Sequence, residues 1–229
     1  MSLELHFHPL SSFCQKAVMA FYENDTPFTP RLVDFGNEAS REALLALWPV
    51  GKIPVLRDLA RDRTVPETSI IIEYLAQHYP GPTRLVPDDA DLARQTRLRD
   101  RFFDLYINLP MQKIVGDTFR PAGKNDPHGV EDAKRQLATA YGMLDADMAT
   151  NQWAMGEAFT MADCAAAPAL LYANVVAPFA SGQKHLAAYL DRLMARPSYA
   201  RALEDAKPYI ALFPMADKFR ATYSRILGW

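Results

Sequence analysis

The chain has 229 residues, 49% hydrophobic and 11% aromatic, with 25 Lys+Arg against 27 Asp+Glu and two cysteines. That apolar share excludes an intrinsically disordered chain, and a net charge of −2 supplies no field to hold a nucleic acid or an anionic membrane. Two cysteines cannot build a disulfide framework, no apolar run reaches the ~18 residues of a membrane span, and Met1-Ser2-Leu3-Glu4 lacks the order of a secretory signal. A soluble, cytoplasmic protein of one or two domains is therefore expected.

Taken in chain order, Leu3 to Phe7 alternates as a strand and stops at His8-Pro9. A helical pattern follows, with Ala17, Val18, Ala20 and Phe21 on one side. Phe28 to Val33 alternates again, and Glu38 to Leu47 reads as a short amphipathic helix. Pro54-Val55-Leu56 and Arg63-Thr64-Val65 are short strands joined by a charged turn at Asp58 to Asp62. Ile70 to Tyr79 is helical, with Ile71, Tyr74, Leu75 and His78 on one face. The order β-α-β-α-β-β-α describes a small mixed sheet covered by helices.

Tyr79-Pro80-Gly81-Pro82-Thr83 is dense in helix breakers and marks a linker at 81–88, so the domains are expected at 1–80 and 89–229. The second part shows no strand. Asp91 to Asp117 reads as a long helix bent at Pro110, which lacks a helical N–H donor. A loop from Arg120 to Gly129 separates it from a helix over Val130 to Met148, and further helices start at Thr160, Gly182 and Pro197. Phe159-Thr160-Met161-Ala162-Asp163-Cys164 carries a complete helix-start signal. Thr160 and Asp163 can cap each other's N–H groups, with Phe159 and Cys164 as the hydrophobic staple.

Three features of the first 80 residues carry possible chemistry. In Pro9-Leu10-Ser11-Ser12-Phe13-Cys14-Gln15-Lys16, two hydroxyls and a thiol lie where a helix begins. Such residues serve as ordinary caps, or they stabilise a thiolate with help from the helix N-terminus. In Lys52-Ile53-Pro54-Val55 a proline opens a strand. It is either a trans edge proline or a cis bond that turns the backbone of Ile53 outward to pair with an extended ligand. Val65-Pro66-Glu67-Thr68-Ser69 precedes a helix, and supplies either simple capping or an anion site with Glu67 facing an amino group.

Taken together, Ser11-Ser12-Phe13-Cys14, Ile53-Pro54-Val55, Glu67-Thr68 and the motif from Phe159 to Asp163 resemble those of the cytosolic glutathione transferases. The resemblance covers the whole chain and implies a thioredoxin-like domain followed by an all-helical domain. It implies glutathione as co-substrate, a small hydrophobic electrophile, no metal, a homodimer and a role in detoxification. Residue by residue, Ser11 matches the catalytic serine of the serine-type classes (theta, zeta, tau-like). Phe7 stands where the tyrosine-type classes place their hydroxyl. Ser12 lies in the same glutathione-binding loop. Ile53 and Pro54 match the pair that meets the cysteinyl part, Glu67 and Thr68 the pair that holds the γ-glutamyl end, and Lys52 a contact to the glycyl carboxylate. Leu10 and Phe13 flank the thiolate loop, while Phe103, Tyr106, Met111 and Val115 on the first long helix are the candidates for the electrophile pocket. The aromatic tail with Tyr209, Phe213, Phe219, Tyr223 and Trp229 either caps that pocket or packs on the helical domain. Alternatives on the same fold are thiol transfer through Cys14, glutathione-dependent isomerisation, and ligand binding without catalysis.

Overall fold

A four-stranded sheet runs in the order β2-β1-β3-β4. In it β1 (Leu3–Phe7) lies parallel to β2 (Thr29–Leu32), while β3 (Val55–Asp58) is antiparallel to both β1 and β4 (Arg63–Pro66). The computed structural model describes residues 2–228. Leu3, Leu5 and Phe7 are buried while Glu4 and His6 point to the other face, the alternation expected of a strand covered more fully on one side. β2 is the edge strand, which is where Pro30 can lack a ladder donor without cost. Helices α1 (Ser12–Glu23) and α3 (Thr68–His78) share the main core with Leu56, whereas α2 (Glu38–Leu47) covers the opposite face through Leu44 on Val33 and Val55.

The turn from β3 to β4 hides a carboxylate that the sequence pattern shows only as charge. Asp58 is fully buried and accepts from Ala60 N–H, Arg61 N–H and the hydroxyls of Tyr74 and Tyr79, both at 2.7 Å. Four donors replace the water it has lost.

After α3 no helix or strand forms until α4 (Ala90–Phe102). The long helix expected to bend at Pro110 is interrupted earlier. Between α4 and α5 (Leu109–Asp117) the turns widen over Phe103–Asn108, and Leu109 N–H reaches back five residues to the Asp104 carbonyl. The wide turn directly precedes the proline that cannot donate. Then come α6 (Pro127–Met148), α7 (Met161–Val176), α8 (Lys184–Ala195), α9 (Pro197–Ala206) and α10 (Ala216–Leu227). Among the described residues no helix is long and apolar enough to cross a membrane. The tail packs on the helical part: Phe219 and Tyr223 are buried, and Tyr223 donates to the Leu171 carbonyl at 3.1 Å. Trp229 lies outside the described residues.

α7 is buried along nearly its whole length and packs against α1, α4, α5 and α8, so small residues (six of its sixteen are alanine) let the neighbours approach closely. Its start is held as the sequence signal implies. The Asp163 carboxylate accepts from Thr160 N–H at 2.8 Å, and the Thr160 hydroxyl accepts from first-turn N–H groups. Asp163 also takes Ala154 N–H at 2.8 Å and the Tyr189 hydroxyl at 2.6 Å. Asp163→Ala strands these buried donors at once. The expected loss is roughly 3 kcal/mol or more, read as a lower midpoint in urea unfolding, and an unchanged midpoint would contradict it.

Candidate functional site

Ser11 is the N-cap of α1, with extended backbone (φ −74°, ψ 122°). Its Oγ accepts the Cys14 N–H at 3.4 Å, so the hydroxyl uses a lone pair on its own helix and keeps its proton to donate outward. The loop before it is tied down by Gln15, a residue of the same segment to which the sequence alone gives no role. The buried Gln15 amide donates to the Pro9 carbonyl at 2.8 Å and to the Tyr172 hydroxyl at 3.1 Å, and its oxygen accepts from Tyr199. An amide in the run Phe13–Phe21, where every other residue but Lys16 is apolar, was the available signal.

Ser12 points elsewhere. Its side chain is 4% exposed and its hydroxyl donates to Asn108 Oδ1 at 2.9 Å, so this hydroxyl closes the junction with the helical part, although the residue also lines the smaller of the two cavities that meet at Ser11. Cys14 is fully buried, and desolvation pushes its thiol up to about 12 despite the Ser11 hydroxyl beside it.

Two cavities meet at Ser11. The larger, about 810 Å³, is lined by Phe13, Lys52, Ile53, Pro54, Glu67 and Thr68 on the sheet side and by Asp100, Arg101 and Asp104 on the helical side. The Ile53–Pro54 bond is cis, one of the two conformations the sequence leaves open. Glu67 holds a left-handed φ of 70° immediately before α3, a costly conformation for a residue with a Cβ, and one that places its exposed side chain at the cavity mouth. Thr68 is buried and its hydroxyl donates to the Phe13 carbonyl at 3.4 Å, linking this corner to the Ser11 loop. The first N–H groups of α3 have no partner within the helix and form an anion-accepting end.

Behind Thr68 lies a polar joint absent from the sequence reading. Lys16, 1% exposed, places Nζ 2.7 Å from Asp100, 2.8 Å from Asp104 and 2.9 Å from the Ser69 hydroxyl, which in turn donates to Asp100 at 2.6 Å. Burial raises the Asp104 carboxyl, opposed by the Lys16 charge. The joint ties α1 and α3 to the helical part.

The second cavity, about 640 Å³, is lined by His8, Leu10, Phe35, Met111, Val115, Phe119, Tyr172 and the tail residues Leu212, Phe213 and Pro214, with Asp34 and Gln112 among its polar groups. Leu10, Met111 and Val115 are therefore where an apolar pocket needs them, while Phe13 faces the larger cavity. Phe103 and Tyr106 line neither. Phe103 is fully buried in the core, and Tyr106 stacks outside on Phe102 with centroids 5.4 Å apart. The widened turn through these residues rotates them away from the face that a regular helix would present. Of the tail, Phe213 reaches the cavity whereas Phe219 and Tyr223 pack beneath it. Among the described residues no group of three or more His, Cys, Asp or Glu is placed to hold a metal ion.

Residues 5–83 match the model of the glutathione S-transferase N-terminal domain, and residues 106–197 that of the glutathione S-transferase C-terminal domain. The chain belongs to the glutathione S-transferase family. It is an enzyme of the glutathione transferase type. Glutathione S-transferase 3 of Zea mays is 28% identical over 214 residues, which span 88% of this chain and 93% of that protein. Glutathione S-transferase GstB of Escherichia coli (strain K12) is 24% identical over 196 residues, 84% of this chain and 93% of its own. The fold also superposes on the crystal structure of a glutathione S-transferase from Methylobacillus flagellatus KT with GSH bound. The TM-score is 0.79 at 23% identity, over 88% of this chain and 98% of that one.

Within this family the position of Cys14 separates two chemistries. A buried thiol raised to about 12 is neither ionised nor reachable at neutral pH. Incubation of the native protein with oxidised glutathione at pH 7.5 should leave Cys14 unmodified by peptide mass spectrometry, with labelling appearing only after unfolding. An adduct on folded protein would restore thiol transfer through Cys14.

Proposed function

We propose that the protein conjugates glutathione to a small apolar electrophile, with the Ser11 hydroxyl as the donor that stabilises the glutathione thiolate. The observation that carries this reading is that Ser11 is common to both cavities: it lines the larger one, whose charged and hydroxyl side chains suit a peptide, and the smaller, more apolar one that suits an electrophile. In the larger cavity the γ-glutamyl carboxylate suits the N–H groups opening α3, with the Glu67 carboxylate available to its amino group. The backbone of Ile53, beside the cis bond and lining this cavity, suits the cysteinyl peptide unit, and the Lys52 ammonium suits the glycyl carboxylate.

The size of the effect can be set from physical chemistry. A free thiol with a pKa of about 8.5 is only a few per cent ionised at pH 7. A hydrogen bond to a charged group is worth about 1.5–3 kcal/mol, which corresponds to about 1–2 pKa units. The Ser11 hydroxyl, with the N-terminal end of α1, is thus enough to leave the thiol largely ionised without acting as a base. The thiolate then attacks an electrophilic carbon held by Leu10, Met111, Val115 and Phe213.

A homodimer in the cytoplasm, serving detoxification, completes the proposal. A solution mass of twice the chain at micromolar concentration is expected, and a monomer would remove this part.

Ser11→Ala should lower kcat/KM about 10–100-fold at pH 6.5 and move the pH profile up by about 1–2 units, so that activity recovers as pH rises. Ser12→Ala should instead leave the profile in place and lower the melting temperature, because it strands Asn108 Oδ1. A wild-type profile in Ser11→Ala would remove the assignment.

A further inference from the structure

One ring in the apolar cavity has a chemistry that thiolate formation does not use. His8 follows β1 and lines the smaller cavity beside Leu10 and Ser11. Its Nδ1 accepts the Leu10 N–H at 3.2 Å, so the proton of the neutral ring resides on Nε2. The Tyr209 ring meets the imidazole edge-on, with centroids 5.0 Å apart, and holds it from the tail side. The His8 carbonyl accepts the Ser11 N–H at 3.0 Å. One tight turn therefore sets both the imidazole and the thiolate-stabilising hydroxyl. Burial lowers the His8 pKa below its ordinary value, opposed in part by the Asp34 charge. Asp34 and Tyr209 are the titratable groups that face it.

We infer that His8 determines specificity for the second substrate, its Nε2–H donating to an oxygen of the electrophile and thereby selecting α,β-unsaturated carbonyl compounds. The inference rests on the conjugation reading. As the thiolate pair forms the C–S bond at the β-carbon, the C=C π pair moves to make an enolate, and the negative charge grows on the carbonyl oxygen. A fixed N–H aimed at that oxygen is worth more in the transition state than in the ground state. The α-carbon then takes a proton from water, replacing the one the thiol released, and the carbonyl reforms. An alkyl halide, which expels chloride and develops no such oxygen, gains nothing from the donor.

The test is the ratio of kcat/KM for 4-phenyl-3-buten-2-one to that for benzyl chloride, two probes sharing an aromatic ring. His8→Phe, which keeps the ring and removes the donor, should lower this ratio roughly tenfold, the size of one hydrogen bond at a developing charge. His8→Gln, which retains an N–H donor, should restore at least part of it; His8→Leu replaces the phenylalanine variant if that does not fold. A ratio within twofold of wild type in the donor-free variant overturns the His8 role while leaving conjugation intact. Failure of the wild-type protein to conjugate either probe would instead overturn the conjugation reading, and this inference with it.

Discussion

The packing of α1 is the constraint on which the rest depends. From Cys14 to Phe21 every residue of the helix is buried, enclosed by the sheet, α3, α7 and α9. A helix enclosed along its length can meet a ligand only at an end. Its C-terminal end is sealed by Glu23, which pairs with Arg196 at 2.6 Å and accepts from the Ser198 hydroxyl. The N-terminal end, capped by Ser11, opens where the two cavities join. The partial positive charge of the helix and the free hydroxyl proton therefore converge on one point.

The same burial forces polar groups of α1 to find partners in the helical domain. Ser12 takes Asn108, Gln15 takes Tyr172 and Tyr199, and Lys16 takes Asp100 and Asp104. Removing either side of such a contact leaves a buried group unpaired, which costs far more than the intact pair contributes. The two domains are consequently held in one register, and the corner at Glu67 and Thr68 is tied to it through Ser69. The site needs that register, because its polar half comes largely from the sheet domain and its apolar half largely from the helices and the tail.

Much of this was legible along the chain. Period-2 alternation identifies β1, and the order of strands and helices describes the sheet domain. The Thr160–Asp163 motif marks the start of α7 because capping is a local interaction between residues three apart. Ser11 was recognisable at a helix start for the same reason. The residues missed are those whose role depends on a partner far along the chain: Lys16 with Asp100, Gln15 with Tyr172, Asp58 with Tyr79. A buried charge looks like an exposed one until its partners are known. Phe103 and Tyr106 were misplaced because a widened turn shifts the helical phase, and no residue in Phe103–Asn108 signals it locally.

By itself, then, the sequence determined what short-range physics governs: the element order, the caps, the helix breakers near residue 80, and the set of hydroxyl, proline and acidic residues that resembles a glutathione site. Only the tertiary structure decided that the Ser12 hydroxyl is spent on Asn108 while Ser11 lines both cavities, that Cys14 is sealed away, and that His8 shares a cavity with Phe213. Each of these is a matter of what covers a side chain, and the covering groups come from helices about a hundred or more residues away.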